Sequence, residues 1–200
     1  MSSDSLKEYR EKRDFERTRE PAGGEREAAE KPLFVIQKHD ASNLHYDFRL
    51  EVEGVLKSWA VPKGPSTDPG EKRLALPTED HPLDYVDFEA VIPEDEYGGG
   101  TVIVWDQGPY RNLRAEKADD EERLSMEESI EDGKVEVWLE GEKLQGGYAL
   151  IRTGGGDDAR WLLIKMKDEH ADPDRDVLEE EPDSVLSGRS LEEVTEEEAE

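Results

Sequence analysis

From Leu44 onward, apolar residues fall at Leu44, Tyr46, Phe48, Leu50 and Val52, with His45, Asp47, Arg49, Glu51 and Glu53 between them. A period of two is that of a β-strand with one apolar and one polar face. The polar face carries an imidazole, a carboxylate and a guanidinium about 7 Å from one to the next. His39 lies six residues upstream of His45 and can fold back to join them. Two histidines and a carboxylate suit a divalent metal, and an arginine beside them suits a phosphate. A half-buried strand with incidental polar residues is the plainer reading. The density of unlike functional groups on one face counts against it, because an ordinary solvent face shows Lys, Glu and Thr.

The rest of the chain continues the β pattern. Residues 31–167 hold nearly all the aromatic and β-branched side chains. Strands are expected near 33–38, 44–53, 55–61, 73–77, 86–91, 101–106, 135–140, 147–153 and 160–166. Glycine and proline separate them at Glu53-Gly54, Pro62-Lys63-Gly64-Pro65, Gly98-Gly99-Gly100, Gly108-Pro109 and Gly154-Gly155-Gly156. Many short strands joined by turns predict a mostly β fold, an antiparallel barrel or sandwich. Helices are expected at about 4–13 and 121–132. Three regions follow: an arm over 1–30, mostly loop or disordered; a β domain over 31–171; and a tail over 172–200. The tail carries 13 acidic residues and two arginines, and is expected to be mostly disordered because it has almost no large apolar groups.

Hydrophobic residues make up 34% of the chain and charged residues 40%, so a modest core lies under a heavily charged surface. The formal net charge of −27 sets up a field that repels phosphates. Such a surface serves solubility or adaptation to high salt, where screening shortens the repulsion. The chain has no cysteine, which excludes disulfides and thiolate metal sites. It has no apolar run near the ~20 residues needed to span a membrane. MSSDSLKEYREKRDF lacks the apolar core of a signal peptide. A cytoplasmic monomer is expected.

Four further segments carry related chemistry. Lys63 sits between prolines in Trp59-Ala60-Val61-Pro62-Lys63-Gly64-Pro65, a stiff turn that lowers the entropy cost of binding an anion. Arg73 lies on an alternating strand in Lys72-Arg73-Leu74-Ala75-Leu76. In Thr78-Glu79-Asp80-His81-Pro82-Leu83-Asp84-Tyr85 the proline holds His81 extended, and Tyr85 offers a hydroxyl. Tyr97-Gly98-Gly99-Gly100-Thr101 can cradle phosphate through backbone N–H groups, but it lacks the lysine and Ser/Thr of a P-loop and reads better as a turn or bulge. Taken singly, each has a structural explanation, and the arm from Lys12 to Pro21 is by composition an unremarkable charged segment.

Together the stretches KRDFERTREPAG, FVIQKHDASNLHYDFRLEVEGVLKSWAVPKGPS, KRLALPTEDHPLDYVDFEAVIPEDEYGGGTVIVWDQGPY and WLLIKMKDEHA resemble the phosphoesterase domain of bacterial DNA ligase D and its stand-alone relatives. The resemblance runs from about residue 7 to 171, and Ser184-Val185-Leu186-Ser187-Gly188-Arg189-Ser190-Leu191 resembles the linker that follows this domain in multidomain ligases. It implies a β-barrel with its site on a concave surface, and a manganese-dependent enzyme that trims DNA 3′ ends. In that family a terminal ribonucleoside is removed to leave a 3′-phosphate, and then the phosphate is removed to leave a 3′-hydroxyl. By the resemblance His39, His45 and Asp47 match metal ligands, and Arg49 and His81 match phosphate-contacting residues. Lys63, Arg73 and Tyr85 match further active-site positions. Arg13, Asp14 and Glu20 match arm residues that fold over the site. Ala90 and Asp95 stand where the family usually has glycine.

Two other readings stay open. Two histidines and a carboxylate on a barrel also describe non-haem iron oxygenases, although Arg49, Lys63 and Arg73 favour a phosphate ligand. A non-catalytic scaffold that binds DNA ends is the other. The chain has no Lys-x-Asp-Gly ligase nucleophile motif and its length leaves no room for a polymerase domain, so in end joining those activities are expected on separate proteins.

Overall fold

The computed structural model describes residues 5–24, 26–27, 30–154 and 159–198. Nine strands run β1 (Leu33–Asp40), β2 (Leu44–Val52), β3 (Val55–Val61), β4 (Lys72–Pro82), β5 (Ala90–Ile92), β6 (Gly100–Asn112), β7 (Lys134–Glu140), β8 (Gln145–Arg152) and β9 (Trp161–Lys165). All pair antiparallel in the order β1-β2-β3-β4-β9-β8-β7-β6-β5, and β1 also pairs with β6. That last pairing closes eight strands into a barrel, with β5 appended along β6. Closure abolishes the open edges that a flat sheet of these strands would expose. β4 and β6 span two sets of partners: Lys72–Ala75 lie on β9 and Leu76–Pro82 on β3, while Thr101–Pro109 lie on β1 and Tyr110–Asn112 on β7.

Alternation along each strand separates two cores. Phe34, Ile36, Tyr46, Phe48, Leu50, Trp59, Val61 and Trp105 point into the barrel. On the opposite face Val35, Leu56, Val102 and Val104 pack outside it, under Tyr9, Leu83, Tyr85, Val86 and Phe88. A second layer therefore covers part of the barrel's outer surface, and the polar row of β2 lies at its margin. The β2–β3 hairpin turns on Glu53 (φ 48°) and Gly54 (φ 83°), a two-residue turn with both residues left-handed.

The strand expected over 86–91 is instead a 3-10 turn (Leu83–Asp87) followed by the short β5. The buried Gln37 amide donates to the carbonyls of Tyr85 and Phe88, at 3.1 and 2.9 Å, and holds this turn against the barrel. The helix expected over 121–132 begins only at Met126, because Ser125 and Glu128 form a capping box that fixes its start; residues Asp120–Glu122 form a separate 3-10 turn. In the arm, the helix expected at about 4–13 is α1 (Lys7–Glu11), ahead of α2 (Met126–Asp132). Residues 1–4, part of that expectation, lie outside the described residues, as do Gly155 and Gly156.

The expectation of a disordered tail is corrected for residues 172–198. They carry α3 (Val177–Glu180) and α4 (Leu191–Glu198), and Val177 and Val194 are buried. Composition hides this because few, well-spaced apolar groups make the contacts and backbone groups make the rest. Trp105 Nε1 donates to the Glu181 carbonyl (2.7 Å), Lys38 Nζ to that of Pro182 (3.3 Å), and the Val185 N–H to that of Val104 (2.9 Å). The Glu89 carboxylate receives Ser184, Ser187 and Arg189 together. Deleting residues 172–200 strips Val177, Val194 and this strap from the barrel. Two buried valines at ~1.5–3 kcal/mol each predict a loss of roughly 3–6 kcal/mol. Urea unfolding of the shortened chain checks this, and an unchanged midpoint contradicts it. Among the described residues no helix is long and apolar enough to cross a membrane.

Candidate metal and phosphate site

The β1–β2 hairpin sets His39 directly opposite His45, and one pleat further along, Gln37 opposite Asp47. Both histidines and Asp47 therefore share the outer face. His39 Nδ1 lies 3.5 Å from Asp47 Oδ2 and His45 Nε2 lies 3.3 Å from Asp47 Oδ1. One ligand atom from each of the three falls within 4.8 Å of the others. The remaining ring nitrogens face carbonyl oxygens, His39 Nε2 that of Gly98 at 2.7 Å and His45 Nδ1 that of Asn43 at 3.1 Å. A carbonyl can only accept, so those nitrogens carry protons throughout; a cation that displaces the protons His39 Nδ1 and His45 Nε2 direct at Asp47 meets their lone pairs. Two neutral imidazoles and a carboxylate converging in this way fit a divalent cation. Burial alone would raise the Asp47 pKa, but Arg49 and the hydrogen bonds from both histidines hold it well below the usual carboxylate range. Burial would lower that of His45, and the bond to Asp47 outweighs it, leaving a raised value.

Arg49 follows Asp47 on the same face and is locked in place. Its Nε donates to Gln37 Oε1 (2.8 Å) and its Nη1 to Ser58 Oγ (2.9 Å). Its guanidinium lies over the Tyr85 ring at 4.9 Å, and Nη2 reaches Asp47 at 3.5 Å. A cation pre-set this way costs little reorganisation when an anion arrives. His81 comes from β4, its Nδ1 donating to the Glu79 carbonyl at 3.0 Å. Burial, then the positive charges of Arg49 and Arg13, push the His81 pKa well below its ordinary value. The ring is neutral at pH 7, with its lone pair at Nε2, 3.5 Å from Arg13 Nη2.

The arm closes over this cavity. Arg13 Nε donates to Glu20 Oε2 (2.9 Å) and Arg13 Nη1 to Glu79 Oε1 (3.3 Å), with the guanidinium 3.9 Å from the Tyr9 ring centroid. Tyr85 donates its hydroxyl to Glu20 Oε2 at 2.8 Å, so burial and the nearby Glu20 carboxylate hold that phenol protonated, its pKa well above normal. The resulting cavity of about 190 Å³ is walled by His39, His45, Asp47, Arg49, His81 and Tyr85, together with Arg13 and Glu20.

Three expected residues are not brought to these walls. Lys63 is exposed on its turn, and Arg73 donates to the Lys63 carbonyl at 2.6 Å while pairing with Glu71 at 2.7 Å. Asp14 is exposed, and its Oδ1 accepts the N–H of Glu16 at 3.0 Å within a local turn. The glycine run is a packed turn: Gly98 supplies the carbonyl for His39, and a Cβ at Gly100 would collide with the Asp40 carbonyl. Asp95 pairs with Arg17 of the arm, and Ala90 is buried opposite Val102. Gln37, Ser58 and Glu79 escaped the sequence reading. A signal for two of them was present. Gln37 shares the period-two face of His39, and a two-residue turn at Glu53-Gly54 puts Ser58 across from Arg49.

The DNA Ligase D 3′-phosphoesterase domain profile matches residues 37–152. The chain is 53% identical over 195 residues to the multifunctional non-homologous end joining protein LigD of Pseudomonas aeruginosa, covering 95% of this chain and 22% of that protein. It is 44% identical over 173 residues to the LigD of Mycolicibacterium smegmatis, covering 84% of this chain and 21% of that protein. It thus spans about a fifth of the length of these relatives. With more than half its length inside the family profile, the chain belongs to the DNA ligase D 3′-phosphoesterase domain family.

Proposed function

We propose that this protein is a divalent-metal-dependent phosphoesterase that trims DNA 3′ ends in end joining, with manganese as the metal. It removes a terminal ribonucleoside to leave a 3′-phosphate, then removes that phosphate to leave a 3′-hydroxyl. The observation that carries this reading is the convergence, on one cavity, of a three-ligand metal set with Arg49 and the neutral His81. His39, His45 and Asp47 would hold the metal, which when bound withdraws charge from the phosphoryl group. Arg49, aimed into the same cavity, stabilises negative charge that grows on the nonbridging oxygens. His81 Nε2 takes a proton from the attacking water as its oxygen bonds to phosphorus. The bond from phosphorus to the leaving oxygen breaks, and that oxygen takes a proton from solvent. Arg13 and Glu20 fix the Tyr85 hydroxyl and wall the cavity from water. Lys63, Arg73 and Asp14 lie beyond the cavity walls and act on parts of a DNA substrate outside it.

The set of two histidines and a carboxylate also suits an iron oxygenase, but here two guanidiniums flank the cavity, which matches a phosphate. A scaffold that only binds ends has no use for the buried, desolvated His81. A ligase and a polymerase are the proposed functional partners, and a DNA primer–template the substrate. Incubation of a primer ending in one ribonucleotide with the protein and manganese is expected to release a nucleoside and leave a 3′-phosphate. Release of a 5′-phosphorylated nucleotide, or no release, contradicts the reading.

A further inference from the structure

Past Tyr97 the metal cavity opens into a second, shallower crevice of about 350 Å³, lined by Glu8, Lys12, Pro77, Thr78, Glu79 and Tyr97. Thr78, Glu79 and Tyr97 are walls of both spaces. Tyr97 is 46% exposed, so its ring is open to a ligand in the crevice. Its position is nevertheless fixed: the hydroxyl donates to Glu79 Oε2 at 3.5 Å and accepts from Lys12 Nζ at 3.4 Å. Lys12 Nζ lies 4.8 Å from the ring centroid and also bonds Glu8 at 3.0 Å.

We propose that this crevice receives the terminal ribonucleoside, the leaving group of the first step, with its base stacked on Tyr97. The inference rests on the phosphoesterase reading and assigns Tyr97 to one of its two substrates. Charge is the first argument. Glu8 and Glu79 both pair with Lys12, the cation of the crevice, and outnumber it, and the chain as a whole carries −27, so a continuing phosphate backbone is disfavoured there. A nucleoside leaving group is uncharged, and its sugar hydroxyls can donate to those carboxylates. The second argument is what remains to bind with. An acidic surface gains little from counterion release, and an aromatic face is then the sequence-independent contact available to a base. The third is position: the crevice shares walls with the cavity of the reacting phosphate, and of the two nucleosides that phosphate joins only the terminal one carries no further phosphate. A primer already ending in phosphate has no such group and leaves the crevice empty, so Tyr97 favours the first step over the second, without preference among the four bases.

The test compares kcat/KM for a primer ending in one ribonucleotide and for the same primer ending in 3′-phosphate, in wild type, Tyr97→Ala and Tyr97→Phe, with manganese. Tyr97→Ala is expected to lower the ratio of the first value to the second about 5- to 100-fold, mainly through KM. Tyr97→Phe, which keeps the ring and loses the hydroxyl bonds, restores it. An unchanged ratio in Tyr97→Ala overturns the proposal, as does a lowered ratio that Tyr97→Phe fails to restore, since the hydroxyl would then be the working group. A wild-type protein that processes neither primer defeats the phosphoesterase reading itself and is recognised before any variant is compared.

Discussion

Asp47→Asn is expected to lower turnover by about 10³-fold or more, because a proposed metal ligand that supplies several kcal/mol of charge stabilisation is lost at ~1.4 kcal/mol per tenfold. Asp47 stands at the centre of the constellation, bonded to His39 and His45 and within reach of Arg49. The amide keeps the shape but removes the charge. His45 then loses the partner that raises its pKa, and Arg49 is left without its counter-charge. Manganese affinity, read by electron paramagnetic resonance of the free ion, falls in parallel. A variant that retains activity within tenfold of wild type contradicts the assignment of Asp47 as a ligand.

His81→Ala is the second large effect. Removing a group that moves a proton is expected to slow turnover by about 10²–10⁴-fold. The change separates His81 from the metal set, because its ring is bonded to the Glu79 carbonyl and to Arg13 and is not among the converging ligands. Manganese binding is therefore expected to stay at the wild-type level while both 3′-end reactions stop. Wild-type rates in the variant, or loss of metal binding equal to the loss of rate, contradicts the separation. The low pKa of His81 keeps Nε2 unprotonated at neutral pH, the state the proposed proton acceptor needs, with Arg13 Nη2 3.5 Å away.

Much of this site could be read from the chain before folding. The alternation from Leu44 to Val52 fixes which side chains of β2 share a face, and a hairpin brings His39 opposite His45. Turn chemistry at Glu53-Gly54 sets the next register. Eight-strand closure was harder to see, since it depends on β1 pairing with β6 some seventy residues away and no local signal encodes that contact. The outward orientation of the polar row was also hidden, because alternation separates two faces without telling which one meets the barrel interior. Arg13 and Glu20 came from the family resemblance alone. Their composition is that of any charged arm, and only Tyr9 bonded to the Pro21 carbonyl and Glu20 bonded to Tyr85 show what holds them there. Lys63, on its stiff turn, and Arg73, on its strand, lie away from the cavity walls, where Arg73 bonds Glu71 and the Lys63 carbonyl. The tail misled because its order comes from a few contacts such as Val177, Val194 and the Glu89 clasp.

The central claim is that one cavity, holding a divalent metal on His39, His45 and Asp47, hydrolyses a phosphoester at a DNA 3′ end. Single-turnover release of inorganic phosphate from a 3′-phosphate primer–template, with manganese and again with excess EDTA, tests it most directly. The site predicts release with manganese that leaves a 3′-hydroxyl a polymerase can extend, and none with EDTA. No release with manganese, or release undiminished by EDTA, contradicts it.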